Sequence, residues 1–202
     1  MIEEIKQLFK NYEAKAIGQQ NKYSVLLPLV EVEGQWHILY EVRSSVVSQP
    51  GETSFPGGGV EEGESYKEAA IRETMEELNL PKSSIEIIGE MDYILTQSHI
   101  IHCFVGHLKI EDVDSIKPNK EVDEVFTVPL SFFIENPPEY HGVNMKTVHD
   151  ERFPFDLIFS GEKYKWIDRK HFVPFYRMPN YYLWGFTANF THRFIEIIDK
   201  HN

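Results

Sequence analysis

Three carboxylates crowd into little more than one helical turn in AAIRETMEELNL, residues 69–80: Glu73, Glu76 and Glu77, directly behind Arg72. On a helix, residues three and four apart are neighbours, and like charges at that spacing destabilise it by about 0.2–0.5 kcal/mol per pair. At about 100° per residue, with Glu73 at 0°, Glu77 falls at about 40° and Glu76 at about 300°. Ile71, Met75 and Leu78 fall at about 160°, 200° and 140° on the same count. The expected helix therefore turns an apolar stripe inward and presents one concentrated acidic face. Such a face is ordinarily a solvated surface and nothing more. The run Gly57, Gly58, Gly59 ahead of the helix changes that reading, because glycines let backbone carbonyls and amides come close to a ligand. Carboxylates joined by a backbone carbonyl are hard oxygen donors, suited to Mg²⁺ or Mn²⁺. Loop and helix together point to a cation site beside a surface that receives phosphate.

The elements that must position these residues follow from period and punctuation. Ile2, Ile5, Phe9 and Tyr12 recur at roughly helical spacing over residues 2–14. The run YSVLLPLVEVEGQWHILYEVRS reads as two strands joined by a tight turn at Glu33–Gly34. Residues 44–63 are rich in Gly and Pro and are expected to be loop. A helix is expected from about Ser65 to Leu78, stopped by Asn79 and Pro81. The strand-like runs SIEIIGEMDYIL and HIIHCFVGHLKI follow, then an acidic loop over 111–121, a strand in DEVFTVPL and a short helical piece at 131–135. Beyond Pro137 and Pro138 the chain reads as less regular and rich in aromatics, ending in a helix over 183–199 with Phe186, Phe190, Phe194 and Ile197 on one face. No internal repeat, low-complexity tract or linker is visible, so residues 1–202 are expected to form a single domain.

Composition narrows the classes of partner. At 42% hydrophobic and 13% aromatic residues, the chain is that of a folded globule. It has no apolar run of about 18 residues, so no membrane-spanning helix is expected. The stretch MIEEIKQLFKNYEAK is charged throughout and lacks the apolar centre of a signal peptide. Cys103 is the lone cysteine, which rules out an intrachain disulfide and fits a reducing cytoplasm. A net charge of -12 argues against a nucleic-acid backbone as partner. An anionic small molecule stays open where a metal inverts the local charge, and a homodimer stays open as well. The nine histidines show no metal-ligand spacing, and His99 and His102 read as core or surface residues.

The spacing G, five residues, E, seven residues, RETMEELNL resembles the Nudix box, G-x5-E-x7-R-E-U-x-E-E-x-G-U, with U a bulky aliphatic. Gly58, Glu64, Arg72, Glu73, Glu76, Glu77 and Leu80 match it. Thr74 stands in place of one aliphatic and Asn79 in place of the final glycine, where Asn is the next-best residue for a left-handed helix end. The resemblance implies an α/β fold, a Nudix-type α/β/α sandwich around a mixed sheet, and metal-dependent hydrolysis of a nucleoside diphosphate derivative. It implies Glu73, Glu76 and Glu77 as ligands of Mg²⁺ or Mn²⁺, with a carbonyl from the Gly58 region. Arg72 is expected to orient a glutamate through a charge-assisted hydrogen bond. Glu64 reads either as structural or as a support behind a metal ligand. The general base is left open between a box glutamate and an acid from a later loop, with Glu121 and Glu124 as candidates.

Upstream, LYEVRSSVVSQPGETSFPGG resembles the extended signature of coenzyme A pyrophosphatases, roughly L-L-T-x-R-S-x3-R-x3-G-x3-F-P-G-G. Leu39, Arg43, Ser44, Gly51, Phe55, Pro56, Gly57 and Gly58 match. Tyr40 and Glu41 depart from it, the segment is one residue short, and the second arginine is absent, with Val47 or Ser48 near its place. LWGFTANFTHRFIEII similarly resembles the last helix of that subgroup. By this resemblance Arg43, Ser44, Phe55, Gly57 and Gly58 bind substrate, and the substrate is coenzyme A or an acyl derivative. The alternatives are another diphosphate such as ADP-ribose or a dinucleotide, or a Nudix-like binding module without turnover. Residues 161–177 interleave Lys163, Lys165, Arg169, Lys170 and Arg177 with Tyr164, Trp166, Phe172, Phe175 and Tyr176. They read either as a hold for adenine and a 3′-phosphate or as a hairpin with aromatics inside and bases outside.

Overall fold

Period-two alternation decides which face of each central strand meets which helix. The computed structural model describes residues 1–200. Its main sheet holds β1 (Asn21–Val32), β2 (Gln35–Arg43), β3 (Thr53–Ser54), β4 (Gly57–Gly59), β5 (Ile85–Leu95), β6 (His99–Leu108) and β7 (Val122–Pro129). The strand order is β3-β2-β1-β6-β5, with β4 also paired to β1 and β7 to β2. β1 and β6 run parallel while the other pairs are antiparallel, which makes the sheet mixed. Leu26 and Val30 of β1, Leu39 of β2, and Phe104 and Leu108 of β6 pack with Ala70 and Leu78 of helix α2 (Tyr66–Leu78). The intervening residues Leu27, Leu29, Ile38, Tyr40, Cys103 and Val105 face the other way. There they meet Phe133 of α3 (Leu130–Glu135) and Ala188, Phe190, Phe194 and Ile195 of α4 (Gly185–Asp199). The result is helix, mixed sheet, helix, as the resemblance implies.

The Glu33–Gly34 turn is where the sequence places it, with positive φ at both residues (52° and 77°), the backbone that suits a two-residue hairpin. Two expectations need correction. Residues 44–63 are not all loop: β3 and β4 lie inside them, because the glycines of β4 let it pair closely with Tyr23, Ser24 and Val25. The stretch beyond Pro137 is also more regular than expected. It forms a three-stranded sheet, β10-β9-β8, from β8 (Glu139–Met145), β9 (Arg169–Arg177) and β10 (Tyr182–Trp184). The first helix, α1, covers only Ile2–Lys10, and none of its residues is buried.

Both ends of α2 are fixed by side chains. Ser65 caps the start, its hydroxyl accepting the Glu68 N–H while the Glu68 carboxylate accepts the Ser65 N–H, so two otherwise unpaired helix-end donors are satisfied. At the other end Asn79 adopts the left-handed conformation, φ 50°, and the Leu80 N–H closes onto the Met75 carbonyl at 3.2 Å. Asn79 also does what glycine cannot: its Nδ2 donates to the Lys117 carbonyl at 2.7 Å. We expect Asn79→Ala to lose about 2 kcal/mol, combining left-handed strain with a lost hydrogen bond. Asn79→Gly, which keeps the conformation, should lose about half of that. Urea unfolding of the two variants checks the order, and equal losses would contradict it.

Candidate active site

The inward side of α2 is not the Ile71–Met75–Leu78 stripe that hydrophobicity alone suggests. Its buried residues are Ala69, Ala70, Thr74, Glu77 and Leu78, an arc centred close to Glu77 itself. Ile71 and Met75 lie on the flank and are only half-buried. Thr74 tolerates the interior because its hydroxyl donates back to the Ala70 carbonyl at 2.7 Å. The three box glutamates thus occupy a gradient of exposure: Glu77 as a whole residue is 5% exposed, while the side chains of Glu73 and Glu76 are 18% and 58% exposed.

The glycine run explains how a carboxylate can be buried there. The Gly57 N–H donates to Glu77 Oε2 at 2.8 Å. A methyl group at Gly57 would stand 2.4 Å from the Ser24 carbonyl oxygen and 2.6 Å from Val25 Cα, so no side chain fits between β4 and β1. At Gly58 the same methyl would stand 2.3 Å from Glu73 Oε1, so this glycine makes room for the carboxylate. Arg72 ties the rest together. Its Nε and Nη2 donate to the two oxygens of Glu64 at 2.9 and 3.0 Å, its Nη2 also to the Gly59 carbonyl at 2.9 Å, and its Nη1 lies 2.8 Å from Glu73 Oε1. Glu64, left open by the sequence, is therefore the fork that holds Arg72. That contact holds the Glu64 carboxyl below the usual range and the Arg72 guanidinium above it.

A fourth carboxylate joins this group from the sheet. Glu41 on β2 shares the face of Leu39, which is the face toward α2. It is 1% exposed; its Oε1 accepts from the Ser54 hydroxyl at 2.9 Å, and its Oε2 has no hydrogen-bond partner among the described residues. Burial pushes the Glu41 carboxyl up, and the neighbouring Glu121 and Glu73 add to the rise. Burial also pushes Glu77 up, with Glu41 the next largest influence, and burial raises Glu73. Burial and the Glu41 charge thus both oppose ionisation of the Glu77 carboxyl, an opposition that a cation beside it would ease. The sequence carried one signal for Glu41, the alternation Leu39, Glu41, Arg43 along β2.

The other expected residues divide clearly. Glu121 acts electrostatically on Glu41 and Glu73, whereas Glu124 accepts a hydrogen bond from the Tyr181 hydroxyl at 2.7 Å. Arg43 acts electrostatically on both Glu41 and Glu77, while its Nε donates to the Ser48 carbonyl at 2.8 Å and braces the loop. Ser44 and Phe55 stand differently from the expectation of substrate contact. Ser44 is buried with its hydroxyl donating to the Lys120 carbonyl, and Phe55 is buried against the Tyr40 ring, centroids 5.2 Å apart. His99 hydrogen-bonds Ser98, and His102 stacks on Tyr66 beside Glu90; neither joins the carboxylates. In residues 161–177 neither alternative holds whole. Tyr176 is buried, but Phe172 and Phe175 are exposed; Lys170 lies over the Phe172 ring, and Arg177 forms a forked ion pair with Glu139.

A cleft of about 570 Å³ opens on the outer side of α2, lined by Arg72, Glu76, Ile71, Met75, Lys82 and four further glutamates at its start. Glu41, Glu73 and Glu77 do not line it, and its acidic walls are unsuited to phosphate. The carboxylates are hard donors that fit Mg²⁺ or Mn²⁺, and the unpartnered Glu41 oxygen is an acceptor without a donor. As the side chains stand, no three of the described acidic, His or Cys residues converge on one metal-sized point. Arg72 engages Glu73 Oε1 and the Gly57 N–H engages Glu77 Oε2, so each carboxylate keeps its other oxygen for a cation.

Fold and site together define a Nudix-type hydrolase. A MutT/nudix family protein from Enterococcus faecalis, known from a crystal structure, superposes over 98% of this chain and 70% of its own with a TM-score of 0.51, at 14% identity. The NUDIX domain pattern matches residues 21–148, and the chain belongs to that family. Among its relatives, Nudix hydrolase 3 of Caenorhabditis elegans is 28% identical over 187 residues, 87% of this chain and 72% of that one. The peroxisomal coenzyme A diphosphatase of Mus musculus is 34% identical over 125 residues, 60% of this chain and 52% of that protein. The mitochondrial coenzyme A diphosphatase of the same organism is 35% identical over 138 residues, 64% of each chain.

The two neighbouring glycines should respond differently to substitution. Gly57→Ala meets backbone on β1 and should cost about 3 kcal/mol of stability. Gly58→Ala meets only the movable end of Glu73, so stability should fall by less than about 1 kcal/mol while turnover drops. Denaturant midpoints and diphosphate turnover measured side by side decide it, and a larger stability loss at Gly58 would contradict this geometry.

Proposed function

We propose that the chain hydrolyses the diphosphate of coenzyme A or an acyl-coenzyme A, giving 3′,5′-ADP and (acyl-)4′-phosphopantetheine. The carrying observation is the pairing of a glycine-cradled carboxylate cluster, Glu73 and Glu77, with an Arg72 anchored by Glu64. In this reading Glu73, Glu76, Glu77 and the Gly58 carbonyl hold Mg²⁺ or Mn²⁺, which when bound offsets phosphate charge and makes water more acidic. Arg72 positions Glu73 and keeps the loop carbonyl of Gly59 in place. Water attacks one phosphorus, the bridging P–O bond breaks, and the bridging oxygen leaves with the other phosphate. Glu121, whose charge is felt by Glu73, is the loop acid we assign to take the proton from water, since Glu124 is engaged by Tyr181. Arg43 uses one of its five N–H donors on Ser48 and has others for a phosphate.

Support for the coenzyme A class comes from the upstream signature through Gly58 and from the two mouse relatives named as coenzyme A diphosphatases. A broader diphosphate substrate such as ADP-ribose is favoured by the absence of the signature's second arginine, for which Arg177, paired with Glu139, is not free to substitute. We also read residues 1–202 as one domain, since Tyr176, Leu183 and α4 pack into the core built on β1, β2 and β6. The buried lone Cys103 suits a reducing compartment such as the cytoplasm, and no described helix is long and apolar enough to cross a membrane.

Two tests follow. Glu73→Gln and Glu77→Gln should each nearly abolish turnover at saturating Mg²⁺ with the fold intact by circular dichroism; near-normal rates in either would end the metal assignment. Steady-state kinetics on coenzyme A, dephospho-coenzyme A and ADP-ribose should rank coenzyme A first. Loss of one charge-assisted contact, about 1.5–3 kcal/mol, lowers kcat/KM for dephospho-coenzyme A about tenfold or more. ADP-ribose as the best of the three would overturn the coenzyme A reading and leave the family activity standing.

A further inference from the structure

Glu41 lies outside the box and at a position where the upstream signature carries threonine. It is nevertheless buried on the face of β2 that carries Leu39, in the core layer shared with Ala70 and Leu78 of α2, and Glu77 is buried on the inward side of that helix. Glu41 is 1% exposed and Glu77 is 5% exposed, so neither charge is eased by solvent. Each carboxylate has one oxygen held by a neutral donor: the Ser54 hydroxyl for Glu41 Oε1 and the Gly57 N–H for Glu77 Oε2. The remaining Glu41 oxygen, Oε2, has no partner among the described residues, although a buried carboxylate oxygen ordinarily finds one. The cation that acts electrostatically on both is Arg43, and its Nε donates to the Ser48 carbonyl. Glu73 and Glu121 add further negative charge around the same point. A hard divalent cation suits the concentrated charge, the oxygen donors and the acceptor left open, and it would draw together side chains that do not converge on one point as they stand.

We propose that Glu41 is a further carboxylate ligand of the divalent-cation site, shared with Glu77, so that strand β2 and helix α2 grip the ion from opposite sides. The inference rests on the reading of the box as a metal site. It adds to that reading a ligand from a different element, one that the box spacing does not specify. A strand-borne ligand ties the ion to the sheet, whereas the box glutamates all ride on one helix.

Metal binding to the full chain tests this without reference to any substrate. Chelator-stripped protein is titrated with Mn²⁺, and free Mn²⁺ is read by electron paramagnetic resonance for the parent, Glu41→Gln, Glu41→Thr and Glu73→Gln. We expect the tightest Mn²⁺ of the parent to weaken about tenfold or more in Glu41→Gln and Glu41→Thr. Metal-free melting should be no lower in Glu41→Gln than in the parent, because a repelling buried charge has been removed. If Glu41→Gln melts early, the threonine variant, whose side chain the signature itself carries there, supplies the comparison. Weakening in Glu73→Gln with parent-like isotherms in both Glu41 variants overturns the inference alone. A parent that takes up no Mn²⁺ overturns the metal reading as well.

Discussion

Everything at the site depends on the closeness of β4 to β1. At Gly57 the two backbones approach until not even a methyl group fits between them, and the same residue turns its N–H toward Glu77. One glycine thereby joins the sheet, the loop and the helix that bears the acidic residues. The loop cannot lift away from β1 without uncovering a charged group, and Glu77 cannot leave the interior without abandoning its donor. Gly58 extends the arrangement by one residue, its missing side chain replaced by the Glu73 carboxylate.

Around that point the chain concentrates like charges against their own stability. Glu41, Glu73 and Glu77 all have carboxyls that burial pushes upward. Arg72 relieves the outer part of this repulsion by gripping Glu64, Glu73 and the Gly59 carbonyl at once, and a lysine, with no planar fork, could not make the same set of contacts. The inner part has no comparable relief. A protein that folds around unrelieved charge carries a local cost, and such costs gather where a ligand is later to be held.

How much of this was legible in the sequence differs from element to element. The box was legible because charged residues at fixed intervals are informative without any knowledge of packing, and the Glu33–Gly34 turn because few residues accept positive φ. The inward face of α2 was misread since a helical wheel ranks residues by hydrophobicity, and here the interior takes a glutamate in place of Met75. Glu41 was overlooked for a related reason: it shares a face with Leu39, but a carboxylate is assigned outward by default. β8 gave no signal of any kind, for all seven of its residues are exposed and no alternation marks it. Ser44 and Phe55 matched a signature yet brace the fold, because a motif records which residues recur and not what each one touches.

The segment from Lys117 to Glu121 is fastened at both ends of the site. The Asn79 side chain holds the Lys117 carbonyl, and the Asn119 N–H donates to the Glu77 carbonyl at 2.8 Å. From the strand side, Ser44 holds Lys120 through its hydroxyl and Glu121 through its N–H. A loop pinned so closely has surrendered its conformational freedom during folding, so an incoming molecule need not supply the free energy to order it. Helix end, loop and strand end are thus tied to one another, and the same bonds set where the backbone of Glu121 stands relative to the box.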